Sequence, residues 1–346
     1  VRFDARTRSL VTVGHHGTVA RSTDGGRSWR MIPSSSGSTI ESLIHGAHQG
    51  QFVALGGGGF LLGSRDSGQS WQTISPELDV YLRELAILRD GTLVASGELG
   101  SVLRSIDGGV SWNVVPIAYP NMNTPPNLRA LVVAPETGTL IAAGPPGTIV
   151  RSLDGGRRWQ VTHWTPLEAE EAFPWILLEP GRRAAPVIAA GGSMYFSGDD
   201  GRSWQRTKLS TDRELWHGAV LGRERVMLAA GQRGVAVRSA DAGATWSAVD
   251  TQTENDLFGS FADESTGTLF LMGRNGTLLR STDSGKTWRS VPSATTHALR
   301  RMFRDPRTGA LVSFGEQGAI VRSEDSGASW HAVSSGTEGE LRAGLV

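Results

Sequence analysis

Ser22-Thr23-Asp24-Gly25-Gly26-Arg27-Ser28-Trp29 is the phrase that decides how this chain folds. It returns seven more times, as Ser64–Trp71, Ser105–Trp112, Ser152–Trp159, Ser197–Trp204, Ser239–Trp246, Ser281–Trp288 and Ser323–Trp330. Successive tryptophans stand 42, 41, 47, 45, 42, 42 and 42 residues apart. A fixed period in this range, with a strand-turn-strand phrase in every unit, points to a β-propeller. Blade 4 shows the unit best. Residues 128–135 are an apolar run that reads as strand A, nearest the axis, and residues 140–144 read as strand B. Residues 148–152 read as strand C, and the outer strand D begins at Trp159. Glycine-bearing turns between short β-branched runs are what a four-stranded meander needs.

The units fill the chain, so the expected fold is all-β: one propeller domain over 1–346 with eight four-stranded blades. The blades are expected at 1–33 plus 340–346, 38–75, 80–116, 127–162, 173–207, 214–249, 256–292 and 297–333. The tail 340–346 repeats the strand-A pattern of 298–303 and has no strand B after it. It is expected to pair with the first blade and close the ring, which removes an open sheet edge. A seven-bladed ring with one irregular unit is the alternative.

Composition narrows the function classes. Lys plus Arg equals Asp plus Glu, at 34 each, so no global field draws the protein to nucleic acid. The absence of cysteine removes disulfide and thiolate chemistry. No window approaches the ~20 apolar residues of a spanning helix. The chain starts at Val1 in mid-pattern, where residues 1–7 align with 302–308. It therefore reads as a mature or trimmed product, and a periplasmic or otherwise exported location is expected.

The repeated phrase has a local chemistry. Its Asp can accept N–H bonds within its own turn, its Gly supplies a positive φ, and its Trp buries a large ring. The pairs Asp24 and Trp29, Asp66 and Trp71, Asp107 and Trp112, and Asp154 and Trp159 are assigned this structural role. So are Asp199 and Trp204, Asp241 and Trp246, Asp283 and Trp288, and Asp325 and Trp330. Copy 4 departs from the pattern with Arg158 where a hydroxyl residue is expected. One carboxylate per turn is too few for a calcium shell, and His15-His16 has no carboxylate or cysteine in its turn. No metal and no cofactor is therefore expected.

Variation between units marks where function can sit. The D–A and B–C connections are expected to share one face, the top, and the Asp phrases the other. Two D–A loops, 114–127 and 161–173, exceed what closure needs, as recognition loops do. The residues proposed to hold a partner are Arg83, Arg129, Arg300, Arg301 and Arg342 near the strand-A starts, with Tyr119 and Trp164 in the long loops. A second arginine set (Arg21, Arg104, Arg151, Arg238, Arg280, Arg322) precedes the phrase and reads as inter-blade packing. Trp175 and Trp216 are expected in the core. No catalytic residues are assigned. The alternative is a glycoside hydrolase or lectin using Trp164 and acidic D–A loops (Glu77, Asp79, Glu168, Glu170, Glu171, Asp212, Glu214, Glu254, Asp256).

The phrase resembles the Asp-box, or BNR repeat. Across its whole length the chain resembles the photosystem II stability/assembly factor family, with Gly14–Trp29, Gly144–Trp159 and Gly273–Trp288 carrying the likeness most fully. The resemblance implies a non-catalytic factor on the lumenal or periplasmic side that binds membrane-protein subunits through an arginine-rich surface. The family looks seven-bladed, whereas this chain counts eight phrases. The expected function is thus a binding platform of the cell envelope for a protein partner, with carbohydrate as the alternative ligand.

Overall fold

In a computed structural model the chain forms eight four-stranded antiparallel sheets. The structure describes residues 9–46, 50–74, 80–119, 124–145, 147–164, 175–178, 186–190 and 192–345. Seven sheets are meanders of consecutive strands, and the eighth joins the two ends of the chain. The inner strands are Ile40–His45, Leu82–Ile87, Ala130–Val133, Ile176–Leu178, Leu215–Leu221, Leu257–Asp263, Leu299–Arg304 and Leu341–Leu345. Blade 4 keeps strands B and C where the sequence places them, at Leu140–Gly144 and Thr148–Ser152. Its strand A is shorter than the apolar run, at Ala130–Val133.

The ring closes as the tail pattern suggests. Leu341–Leu345 pairs antiparallel with Leu10–Gly14, and Thr12 Oγ1 donates to the Ala343 carbonyl at 2.9 Å. Leu341 is fully buried among Leu10, Phe303, Val312, Phe314 and Ile320, so this strand also seals blade 8 against blade 1. Eight apolar clusters lie between neighbouring blades; one joins Val11, Val13 and Val19 of blade 1 to Ile40, Phe52 and Leu62 of blade 2.

Each Asp-box works at such a joint. In blade 7, Asp283 Oδ1 accepts from the Thr287 N–H at 3.0 Å and from Ser281 Oγ at 2.8 Å. Its Oδ2 accepts from Thr287 Oγ1 at 2.6 Å. These bonds, led by the Thr287 hydroxyl, hold the carboxyl down to about 2. Copy 4 loses the hydroxyl bond to Oδ2 but keeps the Arg158 N–H to Asp154 Oδ1 at 2.8 Å and the Ser152 Oγ bond at 3.1 Å. The box tryptophan fills the joint with the preceding blade: Trp71 packs in the cluster shared by blades 1 and 2, and Trp330 in that of blades 7 and 8.

The arginine that precedes six of the eight boxes braces the same joint from the other side. Arg21 Nε donates to the Ser67 carbonyl of the next blade's box at 2.9 Å, and Arg104 to Gly155 at 2.8 Å. Arg280 reaches Ser326 at 3.2 Å, and Arg322 reaches across the seam to Gly25 at 3.0 Å. Arg238 does the same with Ser284, while Arg151 instead meets the Asp200 carboxylate at 3.4 Å. These arginines are joinery, as the sequence suggests.

Candidate functional site

The top face is built on B–C turns of the form Gly-x-x-Gly. The first glycine sits where a D–A loop comes close: a Cβ on Gly14 would lie 1.9 Å from the Glu340 carbonyl. The residue before the second glycine takes a left-handed conformation even when it is not glycine, as at His16 (φ 51°), Leu99 (φ 53°) and Gln317 (φ 50°). These tight turns keep the top low and bring the second residue of each inner strand to the mouth of the axial channel. Glu41, Trp216, Phe258, Arg300 and Arg342 line one cavity there, Arg83 holds the equivalent strand position in blade 3, and Arg129 immediately precedes the blade 4 inner strand.

Half of the mouth is an aromatic and guanidinium stack. The Trp216 and Phe258 rings lie 5.8 Å apart at 18°, and the Arg300 guanidinium sits 4.7 Å from the Phe258 centroid. The Trp216 indole N–H donates to Glu214 at 2.7 Å, which fixes the ring. Trp216 is therefore not in the core, as the sequence suggested. A bulge between Leu215 and His217 turns it toward the axis, while Leu215 takes the core position. Trp175 is in the core and donates to the Leu215 carbonyl at 3.1 Å.

The arginines near the axis meet carboxylates. Arg83 pairs with Glu98 and covers the Tyr81 ring. Arg300 pairs with Glu316 at 2.7 Å and with Glu340. Glu340 also meets His15 Nε2 at 3.0 Å and Arg342 Nε at 3.3 Å, and Arg342 reaches Glu41 at 3.4 Å. Arg129 is exposed and has no side-chain partner among the described residues. A cavity of about 400 Å³ opens between Glu41, Trp216, Phe258, Arg300, Arg301, Glu340 and Arg342. Its lining sets three arginines against two glutamates, a mosaic of opposed charges around an aromatic step.

Arg301 of blade 8 is exposed and lines the same cavity. It lies near Glu84 of blade 3 and His217 of blade 6, although no carboxylate among the described residues reaches ion-pair distance. Glu84 accepts from Ser42 Oγ at 2.7 Å and from the Leu85 N–H at 3.2 Å. Burial nevertheless pushes its carboxyl up. His217 Nδ1 faces Ser260 Oγ at 2.7 Å, and burial, aided by Arg301, pushes its imidazole well below the usual range.

The remaining candidates fall as follows. The Tyr119 hydroxyl donates to the Gly100 carbonyl at 3.1 Å, so the ring braces a B–C turn, and burial raises its phenol. Trp164 is half-buried, and loop residues 165–173 after it lie outside the described residues, as do 120–123 of the other long loop. Glu77, Asp79, Glu168, Glu170 and Glu171 also lie outside them. Glu214 is taken by Trp216, and Asp256 by Arg274 at 3.0 Å. Sequence reasoning missed Phe258, Glu41 and Glu340 at the mouth, and the exposed Tyr81 and Leu99 beside Arg83. The available signal was position: Glu41 and Phe258 are the second residues of inner strands, and Glu340 immediately precedes one.

Fold and boxes together define an Asp-box (BNR) β-propeller. Residues 204–344 match the family described as photosynthesis system II assembly factor YCF48, and the whole chain folds as an eight-bladed propeller. Among solved structures it is similar to YCF48 bound to D1 peptide, with a TM-score of 0.59 and 21% identity over 81% of this chain and 89% of that one. It is also similar to YCF48 from Cyanidioschyzon merolae, with a TM-score of 0.60 and 16% identity over 91% of this chain and 97% of that one. At these identities the likeness is one of fold. No curated protein matches the chain.

Proposed function

We propose that this propeller is a non-catalytic assembly platform that docks a protein partner on its top face. The observation that carries the reading is the Trp216–Phe258–Arg300 stack, half-open to solvent at the mouth of a ring whose recurring residues serve its own joints. Tryptophan and arginine set in a partly desolvated pocket are the side chains that dominate protein recognition. Arg83, Arg129, Arg300, Arg301 and Arg342 would set register through carboxylates of the partner, exchanged against Glu98, Glu316, Glu41 and Glu340. Tyr119 and Trp164 would frame the site from the long loops. The similar YCF48 that is bound to D1 peptide supports a peptide segment as the docking unit. On the family resemblance we also infer an exported protein serving the cell envelope, with an envelope or membrane protein as partner.

The test is capture from solubilised envelope of the source organism. Wild type is compared with Trp216→Ala and with the triple variant Arg83→Glu/Arg129→Glu/Arg300→Glu, after circular dichroism has shown that each folds. A specific membrane or exported protein retained by wild type and lost by both variants is the expected result. An unchanged retained set would overturn the top-face reading. Fractionation of cells tests the exported location separately.

A further inference from the structure

The bottom face carries a pattern that the joints do not use. Each Asp-box exposes its second and sixth residues, and the second residue of one box meets the sixth of the next. Glu324 and Arg27 show the contact directly, at 2.9 Å across the seam. Leu153 and Arg202 repeat it, lining one groove between blades 4 and 5. Around the ring, three consecutive joints hold Arg65 with Val110, Ile106 with Arg157, and Leu153 with Arg202. Each couples a large aliphatic residue to an arginine. The other five joints carry small or polar residues in these places.

Exposure sets these aliphatic residues apart. Six large apolar side chains are exposed among the described residues, and Ile106, Val110 and Leu153 are three of them, at 69, 61 and 64%. One exposed aliphatic residue is ordinary on any surface; three in consecutive joints, each beside a cation, are not. Packing does not require them, because the blade 6 box stands with Ala240 and Ala244 in the same places. Charge follows the same arc. Arg89 and Arg158 add two exposed cations, against the exposed Asp90 and Glu136 of neighbouring A–B turns. The box carboxylates turn inward: Asp154 Oδ1, for one, accepts from the Arg157 and Arg158 N–H groups at 3.0 and 2.8 Å. Five exposed guanidiniums thus stand against two carboxylates outside the boxes. That excess argues against a second copy of the same arc as partner, since like charges would meet.

We propose that the bottom rim over blades 2–5 is a contact surface for an anionic lipid bilayer. Equivalent turns repeated around one axis end at one level, so a planar surface reaches several tips at once, whereas a peptide follows a single groove. The aliphatic side chains enter the boundary between headgroups and acyl chains while the arginines meet lipid phosphates, as in an interfacial anchor. The chain is held on the bilayer, not through it. The mouth then faces away from the lipid. None of the six paired residues belongs to the mouth, so this inference and the docking reading stand or fall separately.

The experiment sediments the full chain with vesicles of phosphatidylcholine containing about a third phosphatidylglycerol, and with vesicles of phosphatidylcholine alone. Binding to the mixed vesicles only is expected, and it should weaken as salt rises. Arg157→Gln/Arg202→Gln should bind about thirtyfold more weakly. Arg27→Gln/Lys286→Gln changes the same box position on other blades and should stay within about twofold of wild type. Ile106→Asn/Leu153→Asn should lose at least about tenfold at every salt concentration. All these side chains are exposed, and circular dichroism checks each variant's fold. A positional readout needs no loss of binding: the chain has no cysteine, so Ile106→Cys and Leu99→Cys each accept a single environment-sensitive dye. The dye at 106 should shift to the blue on mixed vesicles, and the dye at 99, on the top face, should not. No binding to mixed vesicles, equal binding to both kinds, equal loss in the two charge variants, or a shift at 99 in place of 106 would overturn the proposal.

Discussion

Leu341→Ala is the perturbation that best tests how the ring is held shut. Leu341 is fully buried between blades 8 and 1 and heads the strand that completes blade 1. Removing a buried leucine side chain costs about 3 kcal/mol when the surroundings collapse only partly. Leu299→Ala is the matched control: the same residue type, also fully buried, at the start of the blade 8 inner strand. Both variants should lose comparable global stability in urea. They should differ in where the loss appears. Leu341 lies on a strand joined to its sheet by pairing alone, whereas the strand of Leu299 is also tied to its neighbour by a short A–B turn, so loss of Leu341 favours local opening of residues 341–345 away from 10–14. Amide exchange at the paired positions Val11, Thr12 and Val13 should then quicken by about a hundredfold, since each 1.4 kcal/mol is about a factor of ten. The same amides in Leu299→Ala should follow only the global change. If the two variants show the same exchange pattern, the closing strand is not the weak point of the ring and this reasoning fails.

Three further outcomes follow from the joints and turns. Arg322→Met removes a fully buried guanidinium bond to Gly25 and should cost about 1.5–3 kcal/mol, more than Arg280→Met, whose bond to Ser326 is part-exposed; chemical denaturation compares them. The carboxyls of Asp283 and Asp325, held at about 2 against an ordinary 3.8 chiefly by the Thr287 and Ser329 hydroxyls, are depressed in the folded state. Their contribution is present above pH 3.8 and disappears as pH falls toward 2, so Asp283→Asn/Asp325→Asn should flatten the fall in urea midpoint across that window. Leu99 is exposed and left-handed, so Leu99→Asn should raise the melting temperature, by about 1 kcal/mol of relieved strain.

Much of the architecture was legible because the Asp-box is a local device: Ser, Asp and Gly satisfy one another within eight residues. The role of Arg21 and its equivalents was legible for a related reason, since a residue recurring at one place in most units serves something every unit has. The mouth was not. Glu41, Trp216, Phe258, Arg300 and Arg342 come from five blades, and nothing in their flanking residues links them. Trp216 misled because an aromatic residue in an apolar strand reads as core, and the bulge at Leu215 that swings it to the axis leaves no sign in composition. The electrostatic balance was hidden in the same way: Glu340 looks like a loop carboxylate until the ring closes and sets it among His15, Arg300 and Arg342.

The pairing of Leu341–Leu345 with Leu10–Gly14 also imposes an order on biogenesis. A ribosome releases the first blade's outer strands long before it makes their inner one; the bonded pair Thr12 and Ala343 is separated by 331 positions. Until then Glu340 cannot assemble its cluster at the mouth, so a nascent or truncated chain presents an unfinished top face. Maturation of the mouth is thereby tied to synthesis of residues 340–345, and a partner that recognises it would reject chains that lack them without any separate quality check.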